Sequence, residues 1–467
     1  AGRAVAGGIV RDFAELGAFP SDAKLLVVVG KGHNGGDALI ATQTLLERFP
    51  AAHADVLMVF GDRALRPLAR RAYRALLNAA RQRVVVLSQP LATKNYDVSL
   101  DGLFGFQFRP PATPPVVQLA KLLGALRIRF RASVDLPSAG IIRADFTYAT
   151  GIAKQAIMGN SATGRPRFLD LGFLTGDEPG NERVLTPRML APLAALRPPQ
   201  SDKRTFGHLF ILGGSRRFPG AVLMSVLAAL RSGAGLVTAF VPETLAAAFA
   251  ARAPEAMWVG WPETPDGNLA LEGQPLWRAQ IDRATAIAIG PGAGREPETQ
   301  ALIADLVKTA PVPMLLDADA LQADIVRQAK TNLVATPHAG EFSRIAQGAD
   351  EKGFVAETGA TLVLKGPVTT VSSAPHGARS PKDVTRHYSF CGGPILARGG
   401  SGDLLAGLIG GLLAQGPADP LLAACRGVVW HGVAADMLAQ AHGQAAVQIT
   451  QLLDFLPRAL RESPDVS

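Results

Sequence analysis

The stretch VVVGKGHNGGDALIATQTLL, Val27 to Leu46, decides the fold. A β-branched run ends in a loop with four glycines, two polar side chains and an aspartate, and a helical pattern follows at once. The glycines let backbone approach a ligand closely, and the start of a helix presents free N–H groups to an anion. Yet the loop Gly30–Asp37 lacks the spacing of G-x-G-x-x-G and the G-K-[ST] ending of a P-loop. Asp37 opens the predicted helix, so a helix cap is its plainest role.

Working outward, KLLVVVG (24–30), ADVLMVFG (54–61), RVVVL (83–87), YDVSLDGLFG (96–105) and RFRASVDLP (129–137) read as buried strands. Helical stretches near 36–48, 64–80 and 115–126 separate them. Apolar strands alternating with helices imply a parallel sheet covered on both faces, with ligands at the carboxyl ends of its strands. The loops after Val29, Leu100 and Val134 are therefore the informative ones. DGLFG (101–105) and SVDLPSAG (133–140) each place an aspartate at such an end. A buried carboxylate there must be paired, hydrogen-bonded or metal-bound, and two beside Asn34 suggest a cation or polar-ligand site.

With 467 residues the chain is too long for one core, and two or three domains are expected. The proline-rich PRMLAPLAALRPPQSDKR (187–204) is the expected boundary, because Pro198-Pro199 continues neither a helix nor a central strand. No apolar run reaches the ~18 residues that span a bilayer. The best candidate, AVLMSVLAALRSGAGLVTAFV, is broken by Arg231 and glycines. The chain begins AGRAVAGG with neither a signal peptide nor Met, and a few further residues are expected upstream. Two cysteines, Cys391 and Cys425, exclude a disulfide framework and suit a reducing cytoplasm. The net charge is 47 − 39 = +8, spread along the chain. Arg66, Arg70 and Arg74 share one face of a predicted helix, but no aromatic residues interleave, so a solvated face is preferred to a nucleic-acid surface.

The second half restarts α/β alternation with HLFILGGS and a long apolar helix (220–232). Strands are expected at GLVTAFVP, ATAIAIG, PMLLDAD, NLVATP and ATLVLKGPVTTVSS, and helices at GDLLAGLIGGLLAQ and PLLAACRGVVWHGVAADMLAQ. Within GGPILARGGSGDLLAG, the residues Gly399, Gly400, Ser401, Gly402 and Asp403 open a helix. Glycine-flanked N–H groups there form an anion hole for a transferring phosphoryl group, and Asp403 can take a proton from an attacking hydroxyl. Asp403 as a simple N-cap is the competing reading.

G-x-G-x-N-G-G-D, D-x-L-F-G and V-D-[IL]-P-S, in that order over roughly residues 1–185, resemble the NAD(P)H-hydrate epimerase domain. HLFILGGSRRFPGAVLMSVLAALRSGAGLVT, AIGPGAG, LDADAL, TPHAGEFSRI, LVLKGPVTT and G-x-G-D, over roughly 203–460, resemble the nucleotide-dependent NAD(P)H-hydrate dehydratase. The resemblance implies an α/β protein with a Rossmann-like doubly wound domain (1–190) and a ribokinase-like domain (203–462). It implies potassium on Asn34, Asp101 and Ser138, with Asp101 also the acid–base candidate. It implies substrate contacts from His33, Asn34, Gly35, Gly36, Asp37, Gly105 and Asp135. In the second domain, Ala221, Gly292, Gly294, His338 and Asp403 are expected on the hydrate. Lys365, Gly366, Pro367, Val368, Thr369, Gly399, Gly400, Ser401 and Gly402 are expected on the nucleotide. Asp403 is the expected catalytic residue, and Glu341 is expected either to support a neighbouring site residue or to be linked to magnesium. The implied ligands are NADHX, NADPHX and ADP, with ATP an alternative, and magnesium is expected in the second domain. No nucleic-acid or membrane partner is expected, and a homo-oligomer is. The pattern departs from the family at His33, Ala38, Phe106–Phe108, Ala139 and Gly393. Two rival readings are a ribokinase-like small-molecule kinase and a non-catalytic N-terminal binding or oligomerisation module.

Overall fold

A computed structural model describes residues 1–89, 94–109, 111–174, 180–330, 332–378, 380–416 and 419–462. The chain forms two compact units that divide at Glu178/Pro179, with residues 439–444 grouped with the first.

The first unit is built on seven parallel strands. They are β1 (Lys24–Val29), β2 (His53–Met58), β3 (Val84–Leu87), β4 (Tyr96–Gly102), β5 (Ile128–Val134), β6 (Phe146–Thr150) and β7 (Arg165–Leu169). Their order, β3-β2-β1-β4-β5-β6-β7, is doubly wound, and the sheet reverses direction of growth at β1/β4. Side chains alternate across a strand, so β1 serves both faces. Leu25, Val27 and Val29 pack with Ile9, Leu39, Leu46 and Leu76 on one side. Leu26 and Val28 pack with Val116, Leu119 and Leu123 on the other. That double burial is why the strand reads as an unbroken apolar run.

Four details differ from the sequence expectations. The RVVVL strand is an edge with Val85 and Val86 about half exposed, because β3 pairs only with β2. The helix after β1 runs His33–Arg48, three residues earlier than expected. Arg66 is the N-cap of the Pro67–Ala80 helix rather than part of its face, and Arg70 donates to the carbonyls of Arg63 and Leu65. A helix at Gly2–Phe13 was not anticipated; Val5, Ile9 and Phe13 bury it against the sheet.

The second unit is built on β8 (Glu182–Leu185), β9 (His208–Leu212), β10 (Leu236–Pro242), β11 (Met257–Trp261), β12 (Ala286–Ile289), β13 (Met314–Leu316), β14 (Leu333–Ala335), β15 (Thr361–Leu364), β16 (Thr369–Ser373) and β17 (Thr385–Ser389). Their order is β11-β10-β9-β12-β13-β14-β15-β16-β17-β8. The expected single stretch ATLVLKGPVTTVSS is a hairpin: β15 and β16 are antiparallel, and Lys365–Val368 make the turn. Because β8 pairs with β17, the second unit begins well before the Pro198-Pro199 segment taken as the boundary. The proline-rich residues 187–194 form a 3-10 helix inside that unit.

The helix Pro420–His442 is the one described helix long and apolar enough to cross a membrane, against the expectation of none; 72% of its apolar window is buried inside the protein. The helices Pro219–Arg231 and Ser401–Ala414 pack tightly on each other. A Cβ built on Gly407 would lie 1.9 Å from the Ser225 carbonyl oxygen. Gly407→Ala therefore destabilises the second unit by about 2–3 kcal/mol in denaturant unfolding, overpacking outweighing the ~1 kcal/mol helix-propensity gain. An unchanged or raised midpoint would contradict this packing.

Candidate active sites

In the first unit the polar loops gather at the carboxyl ends of β1, β4 and β5. Asn34 Nδ2 donates to the carbonyls of Phe104 (3.0 Å) and Val134 (2.8 Å). The Phe104 oxygen also lies 3.4 Å from Ser138 Oγ. Ser138 donates to both oxygens of Asp101, from Oγ at 2.6 Å and from its backbone N at 2.8 Å. Leu103 N donates to Asp101 as well, at 3.1 Å. Thus Asn34, Asp101 and Ser138, far apart in sequence, form one connected cluster. Burial pushes Asp101 up to about 6, although the hydrogen bonds from Ser138 and Leu103 pull the other way. Turning the Asn34 amide over would set Oδ1 among these oxygens. The donor set is then all oxygen, which suits a hard cation. Gly105 is needed here because a Cβ would meet Asn34 Oδ1 at 2.5 Å.

Asp37 is not the cap of its helix. It stands at the fifth helical residue, and its Oδ1 accepts from Gly2 N at the start of the Gly2–Phe13 helix. Burial raises its proton affinity. His33, exposed, opens the helix; with Gly36, Asp37, Gln43, Arg3 and Arg71 it lines a cleft of about 580 Å³. Gly35 packs on the Gly30 backbone, and Gly36 packs on Ala69 of the next helix. Asp135 follows β5 directly with φ 68°, and its carboxylate pairs with Lys154. Lys154 escaped the sequence reading because nothing in AKQAIM marks it. Phe106 is exposed, while Phe104 and Phe108 stack at 4.8 Å beside Asn34's partners.

In the second unit, the carboxyl ends of β12 to β15 and the start of the Ser401–Ala414 helix converge. Gly400, at φ 94°, is the N-cap, and Asp403 makes no capping hydrogen bond, so the competing cap role falls away. Burial first, then the Asp317 carboxylate, raises Asp403 to about 6, against the pull of Lys365. Lys365 follows β15 and pairs with Asp317 at 3.0 Å. Burial opposes its charge, yet Asp317, Glu341 and Asp403 together keep its affinity for the proton above the usual lysine value. A Cβ on Gly402 would lie 3.1 Å from Lys365 Nζ, so the ammonium rests against the helix start.

Gly366, Pro367 and Val368 complete the exposed or half-buried hairpin turn after Lys365, and Thr369 opens β16. Ser401 Oγ donates to the Leu396 carbonyl, which turns the hydroxyl inward and leaves the Gly399–Gly402 backbone as the anion-facing part. Gly292 and Ala221 meet where a Cβ on the glycine would be 3.0 Å from the alanine's. Gly294 N donates to Asp319 at 3.0 Å. His338 is no core histidine: its side chain is exposed, its Nδ1 caps the Ala339–Ala346 helix by accepting from Gly340 and Glu341, and its Nε2 lies 3.6 Å from Glu341 Oε1. Glu341 returns the bond to His338 N at 2.9 Å, so its first task is the reciprocal cap. Asp317 and Asp319 stand in the quoted motif LDADAL, but their roles needed the fold. Among the described residues no group of three His, Cys, Asp or Glu is placed to hold a metal ion.

With the two sites defined, the relatives of the chain become interpretable. The family model for NAD(P)H-hydrate dehydratase matches residues 209–458, and that for the YjeF-related protein N-terminus matches residues 1–156. The chain is 34% identical to a bifunctional NAD(P)H-hydrate repair enzyme of Gloeobacter violaceus, covering 99% of this chain and 93% of that one. It is 31% identical to the enzyme of that name from Moorella thermoacetica, over 94% of this chain and 88% of the other. Among solved structures, the ADP/ATP-dependent NAD(P)H-hydrate dehydratase of Bacillus subtilis, co-crystallised with ATP and Mg2+, matches with TM-score 0.50 and 29% identity, covering 61% of this chain and 99% of that one. A ribokinase-like superfamily protein from Enterococcus faecalis matches with TM-score 0.51 and 28% identity, covering 62% and 99%. The chain belongs to the family of bifunctional NAD(P)H-hydrate repair enzymes.

A carboxylate that is to accept a proton must be ionised, so if Asp403 is that acceptor, dehydration of the S-hydrate falls away below pH about 6. Lys365→Met removes a cation that favours the carboxylate, so the acid limb of kcat/KM moves to higher pH. A limb that stays in place or moves down would contradict the coupling.

Proposed function

We propose that the first unit interconverts the R and S hydrates of NADH and NADPH at the Asn34–Asp101–Ser138 cluster. The second unit then returns the S-hydrate to the dinucleotide at the Asp403 site. Family membership supports the pair of activities, and the observation that carries the dehydratase site is Asp403. It is a half-buried carboxylate at a helix start, making no capping bond and raised to about 6, with Lys365 beside it.

In this reading Asp403 takes the proton of the ring hydroxyl as its oxygen attacks the terminal phosphoryl of ADP. The bond from that phosphorus to the ADP bridging oxygen breaks, and AMP departs. Lys365 and the backbone N–H groups of Gly399–Gly402 stabilise the charge on the transferring group. Phosphate then leaves the ring carbon with its bonding electrons, and loss of a neighbouring proton restores the double bond of NAD(P)H. The hydrate lies along Ala221, Gly292, Gly294 and His338, and the nucleotide lies along Lys365–Thr369; ATP offers the same terminal phosphoryl. Magnesium fits as a partner of the nucleotide phosphates: Asp317 and Asp403 supply at most one or two carboxylates, the usual protein share for that ion.

Potassium fits the first unit. Asn34, Asp101 and Ser138 would hold it with the Phe104 and Val134 carbonyls, and it would fix the substrate's position there. Asp101 moves the proton, and its raised affinity near pH 6 suits that work. His33, Asn34, Gly35, Gly36, Asp37, Gly105 and Asp135 line the substrate's approach. Cys391 and Cys425 are in no disulfide, which suits a cytoplasmic setting.

Asp403→Asn should abolish ADP-dependent recovery of absorbance from S-hydrate, by at least ~10³-fold, while R-to-S conversion persists. Near-wild-type recovery would refute Asp403 as base. Replacing potassium with a bulky organic cation should slow R-to-S conversion and leave dehydration of S-hydrate unaltered. Equal conversion in both salts would remove potassium from the first site. Product analysis excludes the kinase alternative if phosphate, and no stable phosphorylated hydrate, accumulates.

A further inference from the structure

Asp135 is held in an uncommon conformation. Its φ of 68° lies where side-chained residues are rare, and it persists because its N–H is fixed on the Tyr148 carbonyl and Leu136 N turns back to Val134. The effect is to set the carboxylate beside Lys154. Both Lys154 Nζ and Thr150 Oγ1 contact the same oxygen, Oδ1. Among the described residues no hydrogen bond reaches Oδ2. The ammonium in turn carries three N–H groups and, among the described residues, has Asp135 as its one side-chain partner. Both side chains are mostly buried, Lys154 at 17% exposure and Asp135 at 8%.

The pair lies within the first site. Val134, the preceding residue, gives its carbonyl to Asn34. Asp37, on the far side of the loop, senses the Asp135 charge. A pair of this kind is costly to bury unless its remaining hydrogen-bonding capacity is met. What remains is an acceptor, Oδ2, beside donors on Nζ. A phosphate, all acceptor, would be repelled by the carboxylate. A primary carboxamide matches the pattern, with N–H groups for the one and a carbonyl oxygen for the other.

We propose that Asp135 and Lys154 form the subsite that grips the carboxamide of the hydrated nicotinamide ring, Asp135 Oδ2 accepting from its amide nitrogen and Lys154 Nζ donating to its oxygen. Lys154 is also a positioning residue, since it fixes which Asp135 oxygen is free. This deepens the epimerase reading and rests on it: the carboxamide is held so that the ring's reacting carbon faces Asp101. The adenine amino edge has a similar pattern, and substrate analogues separate the two.

The test uses the full chain and measures R-to-S conversion of NADH hydrate and of its 3-acetylpyridine analogue, in which a methyl replaces the amide nitrogen. The wild type should prefer the carboxamide by about tenfold or more in kcat/KM, as expected for a hydrogen bond to a charged group. Asp135→Gly, which suits the φ, should bring that preference near unity. Lys154→Met should raise KM for both substrates about tenfold with a smaller change in kcat, and Lys154→Arg should keep most of the affinity. Dehydration of S-hydrate serves as the folding control in every variant. A preference unchanged in Asp135→Gly, or no preference in the wild type, overturns the proposal, and adenine recognition would give that result. If the wild type converts no R-hydrate, the epimerase reading fails by itself. The subsite is then judged by binding of nicotinamide mononucleotide against its acetylpyridine counterpart, where equal affinities overturn it and a preference lost in Asp135→Gly supports it.

Discussion

A carboxylate taken out of water must be met by charge or hydrogen bonds, and both sites of this chain are organised by that constraint. Asp101 is met by four donors, Leu103 N, Ser138 N, Ser138 Oγ and the more distant Ser133 Oγ, and by no cation among the described residues, so burial still raises its proton affinity to about 6. Asp403 lies near one cation, Lys365, which Asp317 already engages. Each is left partly undersatisfied at the end of a parallel sheet or the start of a helix. A structural carboxylate would be fully paired. Residual capacity is what allows a group to hold an ion or move a proton near neutral pH.

The scaffolds supply that capacity differently. In the first unit, three loops after β1, β4 and β5 bring oxygen atoms together, and the backbone carbonyls of Phe104 and Val134 count as much as the side chains. In the second, the helix start supplies N–H groups, while the strand ends supply Lys365, Asp317, Asp319 and the His338–Glu341 reciprocal cap. An oxygen-lined cluster suits a cation and a polar ring. A helix start with free N–H groups and Lys365 beside it suits a phosphoryl group, and the carboxylates around it suit a nucleotide-bound divalent cation. The chemical division between epimerisation and nucleotide-driven dehydration follows from those linings.

Much of this was legible in sequence because it depends on local chemistry. The apolar runs at Val27 and Phe210 are buried on both faces, and a double-buried strand cannot hide its periodicity. The motifs around Asn34, Asp101 and Ser138 were recognisable as glycine- and aspartate-bearing strand ends, and that around Asp403 as a glycine-rich helix start. Other features depend on tertiary neighbours and left no local signal. Asp37 looked like a cap, yet its partner is Gly2, thirty-five residues away. Val85 and Val86 read as core but lie on an edge, since pairing order is not written in a single strand. Lys154 became visible only when the turn at Asp135 placed it against a carboxylate. The boundary slipped because the four-residue β8 has no pattern of its own apart from its pairing with β17.

The central claim is that two independent sites on one chain act in series on a single damaged dinucleotide. Complementation tests it most directly: pure R-hydrate is supplied with ADP to Asp101→Asn, to Asp403→Asn, and to an equimolar mixture of the two. The account predicts that each variant alone fails to restore the dihydronicotinamide absorbance, while the mixture restores it at a rate comparable to the wild type. A mixture no faster than the Asp101→Asn chain alone would contradict it.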